Sequence, residues 1–154
     1  MRFISKFVIL FFACFLFACG EGAKLSTPLE TLKAYTQAIK KKDTTAMKLL
    51  LSDASIKMAE KEAKAQGRML DDVIKNETLF SESQTSLKFR NEKIDGDKAT
   101  IEVQNSFGSW DKVPFIREEG VWKIDKQAIV NQMLEQNEEY NKQLDSIINQ
   151  GRQP

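Results

Sequence analysis

Val113-Pro114-Phe115-Ile116-Arg117-Glu118-Glu119-Gly120-Val121-Trp122-Lys123-Ile124-Asp125 reads as two strands folded back on each other at Glu119-Gly120. Phe115, Ile116, Val121, Trp122 and Ile124 carry the apolar surface on either side of that turn. Gly120 can take the left-handed backbone of a tight reversal because it has no Cβ to clash. Pro114 has no N–H to give a neighbouring strand, so it must face away from one or sit at a bulge or edge.

Upstream, Asp95-Gly96 is a two-residue hairpin signal. Ala99, Ile101 and Val103 follow it in alternation with Thr100, Glu102 and Gln104. Before it, Leu87 and Phe89 alternate with Lys88 and Arg90, the pattern of a half-buried strand. Gly108-Ser109 marks a further turn, which makes Trp110 to Glu118 the third of four antiparallel strands.

The segments on both sides are helical. Thr27-Pro28-Leu29-Glu30 combines a capping threonine, a proline where its missing N–H costs nothing, and a glutamate that completes a capping box. Leu29, Leu32, Tyr35 and Ile39 then form one apolar face, and Lys40-Lys41-Lys42 places cations at the helix's negative end. That lysine run reads as a solvated helix end rather than a phosphate site. Asp43 or Thr44 caps the next helix, and Gly67 interrupts a helical region from Asp43 to Lys75 that must break into two or three pieces. After Asp125, Ile129/Val130, Met133, Asn137, Tyr140, Leu144 and Ile147 recur every three to four residues in one long helix. Its apolar stripe either packs back on its own domain or forms a coiled contact with another chain. The expected fold class is α+β, with N-terminal helices packed on a curved four-stranded antiparallel sheet and a long C-terminal helix.

The first eighteen residues are of another kind. Arg2 and Lys6 precede an apolar run from Phe7 to Ala18, about 12 residues against the roughly 20 that a helix needs to span a bilayer. That is a secretory signal. It ends in Leu16-Phe17-Ala18-Cys19-Gly20, which resembles the lipobox of bacterial lipoproteins. The resemblance implies cleavage before Cys19 and lipidation of its thiol and amino group, with acyl chains anchoring the protein to a membrane. Gly20 in place of an aspartate implies sorting to an outer membrane, facing the periplasm or the surface. The expected layout is a leader over 1–18, a flexible tether over 19–26, an α+β domain over 27–126 and a C-terminal helix over 127–150.

Removing the leader takes Arg2 and Lys6 from the 23 basic side chains and none of the 22 acids, leaving a formal charge of −1. A balanced charge gives no footprint for nucleic acid. Cys14 leaves with the leader and Cys19 is lipidated, so the fold is expected to hold without disulfides.

The capped first helix with Leu32-Lys33-Ala34-Tyr35, the short second helix and the ending Val113–Asp125 together resemble small bacterial lipoproteins of the nuclear-transport-factor-2-like superfamily, also called cystatin-like or SnoaL-like. The resemblance covers about Pro28 to Lys126. It implies a cone-shaped domain, with a sheet wrapped around a long helix and a ligand pocket lined by Tyr35, Phe89, Phe107, Trp110 and Phe115. Core filling is the plainer reading of each of these aromatics. Enzymes of the superfamily use an acidic base and a tyrosine/aspartate pair. Tyr35 and Tyr140 are the two tyrosines here, and that set does not map onto the chain.

Catalytic options are narrow. The chain has no histidine, which removes histidine bases and triads and the usual zinc sites. No thiol survives processing, and no phosphate-cradling glycine loop is present. Asp71-Asp72 and Asp95/Asp97 are paired acids placed on surface. The expected function is a non-catalytic, membrane-anchored binding or accessory module with a small-ligand or peptide pocket, and no cofactor or metal. The alternatives are a structural or assembly lipoprotein acting through its sheet face or last helix, and an enzyme using buried carboxylates. The expected partners are the membrane, through Cys19, and a protein or second copy at the C-terminal helix.

Overall fold

Thr27 opens the first helix, α1 (Pro28–Lys41), as its sequence demands. Its hydroxyl accepts from the Glu30 N–H, and the Glu30 carboxylate accepts from the Thr27 N–H, both at 3.1 Å. In the computed structural model, which describes residues 27–81 and 86–150, three shorter helices follow. They are α2 (Thr44–Leu50), capped by Asp43, α3 (Asp53–Gln66), capped by Ser52, and α4 (Leu70–Asn76). Gly67 ends α3 with a φ of +64°, a conformation that costs glycine little. The leader, Cys19, the tether and the tail from residue 151 lie outside the described residues.

The second half is a meander of β1 (Phe89–Asp95), β2 (Lys98–Gln104), β3 (Trp110–Glu118) and β4 (Val121–Ile124), paired antiparallel in chain order. The Glu119-Gly120 turn is where the sequence puts it. Glu118 pairs with Val121, and both turn residues have positive φ, +50° and +75°. Two positive φ values belong to the primed turn whose twist matches a hairpin, a conformation glycine takes freely and glutamate at some cost. The first hairpin reverses at Gly96-Asp97, one residue later than expected, because Asp95 is already paired with Lys98.

Pro114 lies within a central strand, opposite Thr100. Its carbonyl accepts from the Asp125 N–H at 2.9 Å. The N and O of one strand residue point to the same side, so the missing N–H falls just past the end of β4 and leaves the β2–β3 ladder intact.

One face of the sheet is core. Ala99, Ile101 and Val103 of β2, Val113 and Phe115 of β3, and Trp122 and Ile124 of β4 are buried with Leu32, Tyr35 and Ile39 of α1 and Met47 of α2. Helix α1 lies against β4 and β2, and its Thr31 hydroxyl donates to the Trp122 carbonyl at 3.0 Å. Strand β1 departs from expectation, being exposed along its whole length. It is the sheet edge and the described helices pack chiefly against β2, β3 and β4, so alternation alone buries nothing there. A bulge between Arg90 and Lys93, with Asn91 at φ +53°, also breaks its register.

Helix α5 (Lys126–Gln150) leaves β4 after one residue, through a polar joint. The Ser55 hydroxyl accepts from the Lys126 N–H at 2.8 Å and donates to the Ile124 carbonyl at 3.3 Å. Ser52 lies 2.7 Å from Ser55, and its N–H donates to the Ile124 carbonyl at 2.9 Å. Asp125 caps α5 by accepting from the Ala128 N–H at 3.1 Å. The first turn of α3 thus fixes where α5 begins. The whole is α+β: helices on a four-stranded antiparallel sheet, with a long C-terminal helix.

Candidate functional site

A cleft of about 520 Å³ opens between the Leu79–Ser81 segment, the β2–β3 end and the first turns of α5. Its walls are Leu79, Phe80, Val103, Val113, Ile129 and Met133. Gln104, Asn105, Asp111 and Lys112 add polar groups. Both the size and the mix of apolar wall and few polar groups are those of small-molecule sites.

One side of the cleft is held rigid by the β2–β3 turn. The Asn105 side-chain oxygen accepts from the N–H groups of Phe107 and Ser109, each at 3.0 Å. Its amide nitrogen donates to the Asp111 carboxylate at 3.0 Å. Gln104 donates to the Gly108 carbonyl at 3.0 Å. A side chain that bridges its own turn in this way fixes the backbone without a regular ladder.

The five aromatics expected to line a pocket are not brought together there. Tyr35 and Phe115 are sealed in the core. Trp110 lies five residues from Phe115 along β3, and an odd separation places it on the opposite face. There it is half-buried beneath the Arg90 guanidinium, 4.0 Å from its ring centre. Arg90 also donates to Glu102 at 2.8 Å and holds that carboxyl below its usual range. Phe89 is on the edge strand with the Lys33 ammonium 5.5 Å over its ring, and Phe107 is 93% exposed at the tip of the turn. None of the five lines the cleft.

Tyr35 carries a feature its core position does not require. Its hydroxyl is buried and has no hydrogen-bond partner of normal geometry. Burial pushes its pKa up to about 12, and the nearby Leu79 backbone offsets only part of that.

A polar cluster lies outside the cleft where α3, α4 and α5 meet. The Lys126 ammonium donates to the Glu77 carbonyl at 2.6 Å. Burial pulls its pKa down, against the pull of Glu77 and Glu62 in the other direction. Burial first, then a hydrogen bond and repulsion from Glu62, push the Glu77 carboxyl up. Arg68 stands 3.8 Å from the same carboxylate. Nothing in the sequence marks this group, because its members are ordinary helix-surface residues brought together by folding. Asp71 pairs with Lys48 at 2.7 Å and Asp97 faces Arg117 at 3.8 Å, both on the surface. Among the described residues, no three carboxylates gather closely enough to hold a metal ion, and no helix is long and apolar enough to cross a membrane.

No protein-family model matches the chain. A search of curated proteins gives no match either. Among solved structures, the crystal structure of a "Putative NTF2-like transpeptidase" from Campylobacter jejuni overlays with a TM-score of 0.41 and 13% identity. The overlay spans 64% of this chain and 98% of the other. An overlap this loose carries no argument about activity or ancestry, and the α+β fold stands on the molecule's own helices and sheet.

Proposed function

We propose that this chain is a lipid-anchored, non-catalytic binding module of the nuclear-transport-factor-2-like kind, holding a small amphiphile or short apolar peptide segment in the cleft between β2, β3 and α5. The observation that carries the reading is the cleft itself: about 520 Å³, walled by Leu79, Phe80, Val103, Val113, Ile129 and Met133, with polar groups beside them. Lys112 supplies a cation for a ligand carboxylate, and Asn105 already engages the one lining acid, Asp111.

Titration of the mature chain with decanoate should shift the methyl resonances of Val103, Val113 and Ile129. Ile129→Trp, which fills the cleft, should weaken binding at least about tenfold, the scale of a few buried methylenes. Shifts confined to residues beyond Asn137 sink the reading.

Anchoring is a separate expectation, supported by the Leu16–Gly20 stretch. Protein isolated from membranes should begin at Cys19 and carry the mass of its acyl chains. Cys19→Ala should abolish both the cleavage and the added mass, and a variant still cut and anchored at that point overturns the reading.

The assembly alternative is favoured by one observation, the exposed apolar stripe of α5.

A further inference from the structure

We propose that α5 is a homodimerisation helix, which pairs with the α5 of a second copy as a parallel two-stranded coiled coil with Asn137 setting the register. The helix has 25 residues, a rod of about 37 Å, and none of them is buried. Only its first turns touch the body of the protein, where Ala128, Gln132 and Met133 flank gaps against β3. From Asn137 to Gln150 every residue is exposed, including Tyr140, Leu144, Ile147 and Ile148. A helix that keeps an apolar stripe over this length without a partner is incomplete as it stands.

The stripe has the period of a coiled-coil seam. With Val130 as the first a position, a is filled by Val130, Asn137 and Leu144, and d by Met133, Tyr140 and Ile147. The charge pattern admits a second copy as the occupant. Between Val130 and Gln150 the charged residues are Glu135, Glu138, Glu139, Lys142 and Asp145. All five fall at b, c or f, the positions farthest from a partner helix. The flanking e and g positions hold Leu134, Gln136, Asn141, Gln143, Ile148 and Gln150, without a single charge. An acidic helix of this composition would repel its own copy if its carboxylates stood at e and g. Here two copies meet with no like-charge pair at the seam.

Asn137 fixes the arrangement further. A lone asparagine at an a position meets its equivalent across a parallel dimer, where the two amides hydrogen-bond, and faces apolar side chains in any other register. The Ser52–Ser55–Asp125 joint holds the start of α5 against α3. Met133 belongs both to this seam and to the cleft wall, whereas the seam positions from Asn137 to Ile147 lie beyond the cleft lining.

The test uses the full chain in its own membrane. Leu144→Cys, at an a position, should cross-link to a dimer under mild oxidation at least tenfold more than Glu139→Cys, at c, and the parent chain should not. In mild detergent, sedimentation should give a dimer mass that dissociates on dilution. Leu144→Glu combined with Ile147→Glu should yield monomer while the denaturation midpoint of the α+β body is unchanged. Equal cross-linking at Leu144→Cys and Glu139→Cys overturns the proposal. So does a cross-link to a different protein, or a concentration-dependent mass that persists after deletion of residues 131–154.

Discussion

Trp122→Ala is expected to cost about 3–5 kcal/mol, the range for emptying a large aromatic site in a core. Total stabilities of about 5–15 kcal/mol leave little room for such a loss. Trp122 is 1% exposed, between α1 and the sheet. The change removes the largest side chain of the core cluster that also holds Leu32, Tyr35 and Phe115. It also removes the ring that the Arg117 guanidinium covers at 4.3 Å from the opposite position on β3. Arg117→Ala separates the two effects. It removes a half-exposed cation and its stacking, worth about 0.5–1 kcal/mol, and leaves the ring in place. Urea denaturation of the three proteins checks this. A Trp122→Ala midpoint close to that of Arg117→Ala would show that the core repacks without the indole.

Tyr35→Phe should raise stability at neutral pH by about 1 kcal/mol, because it deletes a buried hydroxyl that has no good partner. The larger effect is at alkaline pH. The Tyr35 pKa is raised from 10.0 to about 12 in the folded protein, so the folded state holds its proton more tightly than the unfolded chain. That stabilisation is fully present below pH 10 and is lost as pH rises through about 12. A shift of this size corresponds to about 2–3 kcal/mol by linkage. Lys126 acts with the opposite sign. Its lowered folded pKa means that stability rises with pH up to the unfolded value of 10.5. Tyr35→Phe removes the tyrosine contribution and leaves the lysine one. Denaturation midpoints at pH 9 and pH 12 should therefore diverge between parent and variant by about 2–3 kcal/mol. Parallel pH profiles would refute the assignment.

How far the sequence could be read depends on the range of the interactions involved. Thr27, Pro28 and Glu30 announce α1 because a helix start is settled within four residues. Gly67 and Glu119-Gly120 announce their reversals because a positive φ is a local cost. The order of the four strands follows, since each pairs with the next. The alternation of Leu87 and Phe89 reads as a half-buried strand, yet only Leu87, just before β1, packs against the core, and Phe89 is exposed. Whether such a strand is covered depends on which helix lies opposite, and no residue of β1 encodes that.

The cleft and the aromatic set differ for the same reason. The resemblance places Tyr35, Phe89, Phe107, Trp110 and Phe115 around one pocket, but strand parity and edge position scatter them over the core, the outer face and a turn tip. Ile129 and Met133 were legible as members of an apolar stripe. That they meet Val103, Val113 and Phe80 follows only from the angle at which α5 leaves the Ser55 joint. The Glu62–Glu77–Lys126 cluster draws on three helices and has no local signature.

The Thr31–Trp122 hydrogen bond joins residues 91 positions apart. In synthesis from the N-terminus, α1 is finished long before the surface it will cover exists. The sheet assembles from neighbouring hairpins, each closing a short loop, which is the fast part of folding. Docking α1 on β4 closes a loop of this length and must wait for β4 to emerge. Until then Leu32, Tyr35 and Ile39 present an apolar stripe to whatever is nearby. The interval between the appearance of α1 and the completion of β4 is when a chaperone has something to hold.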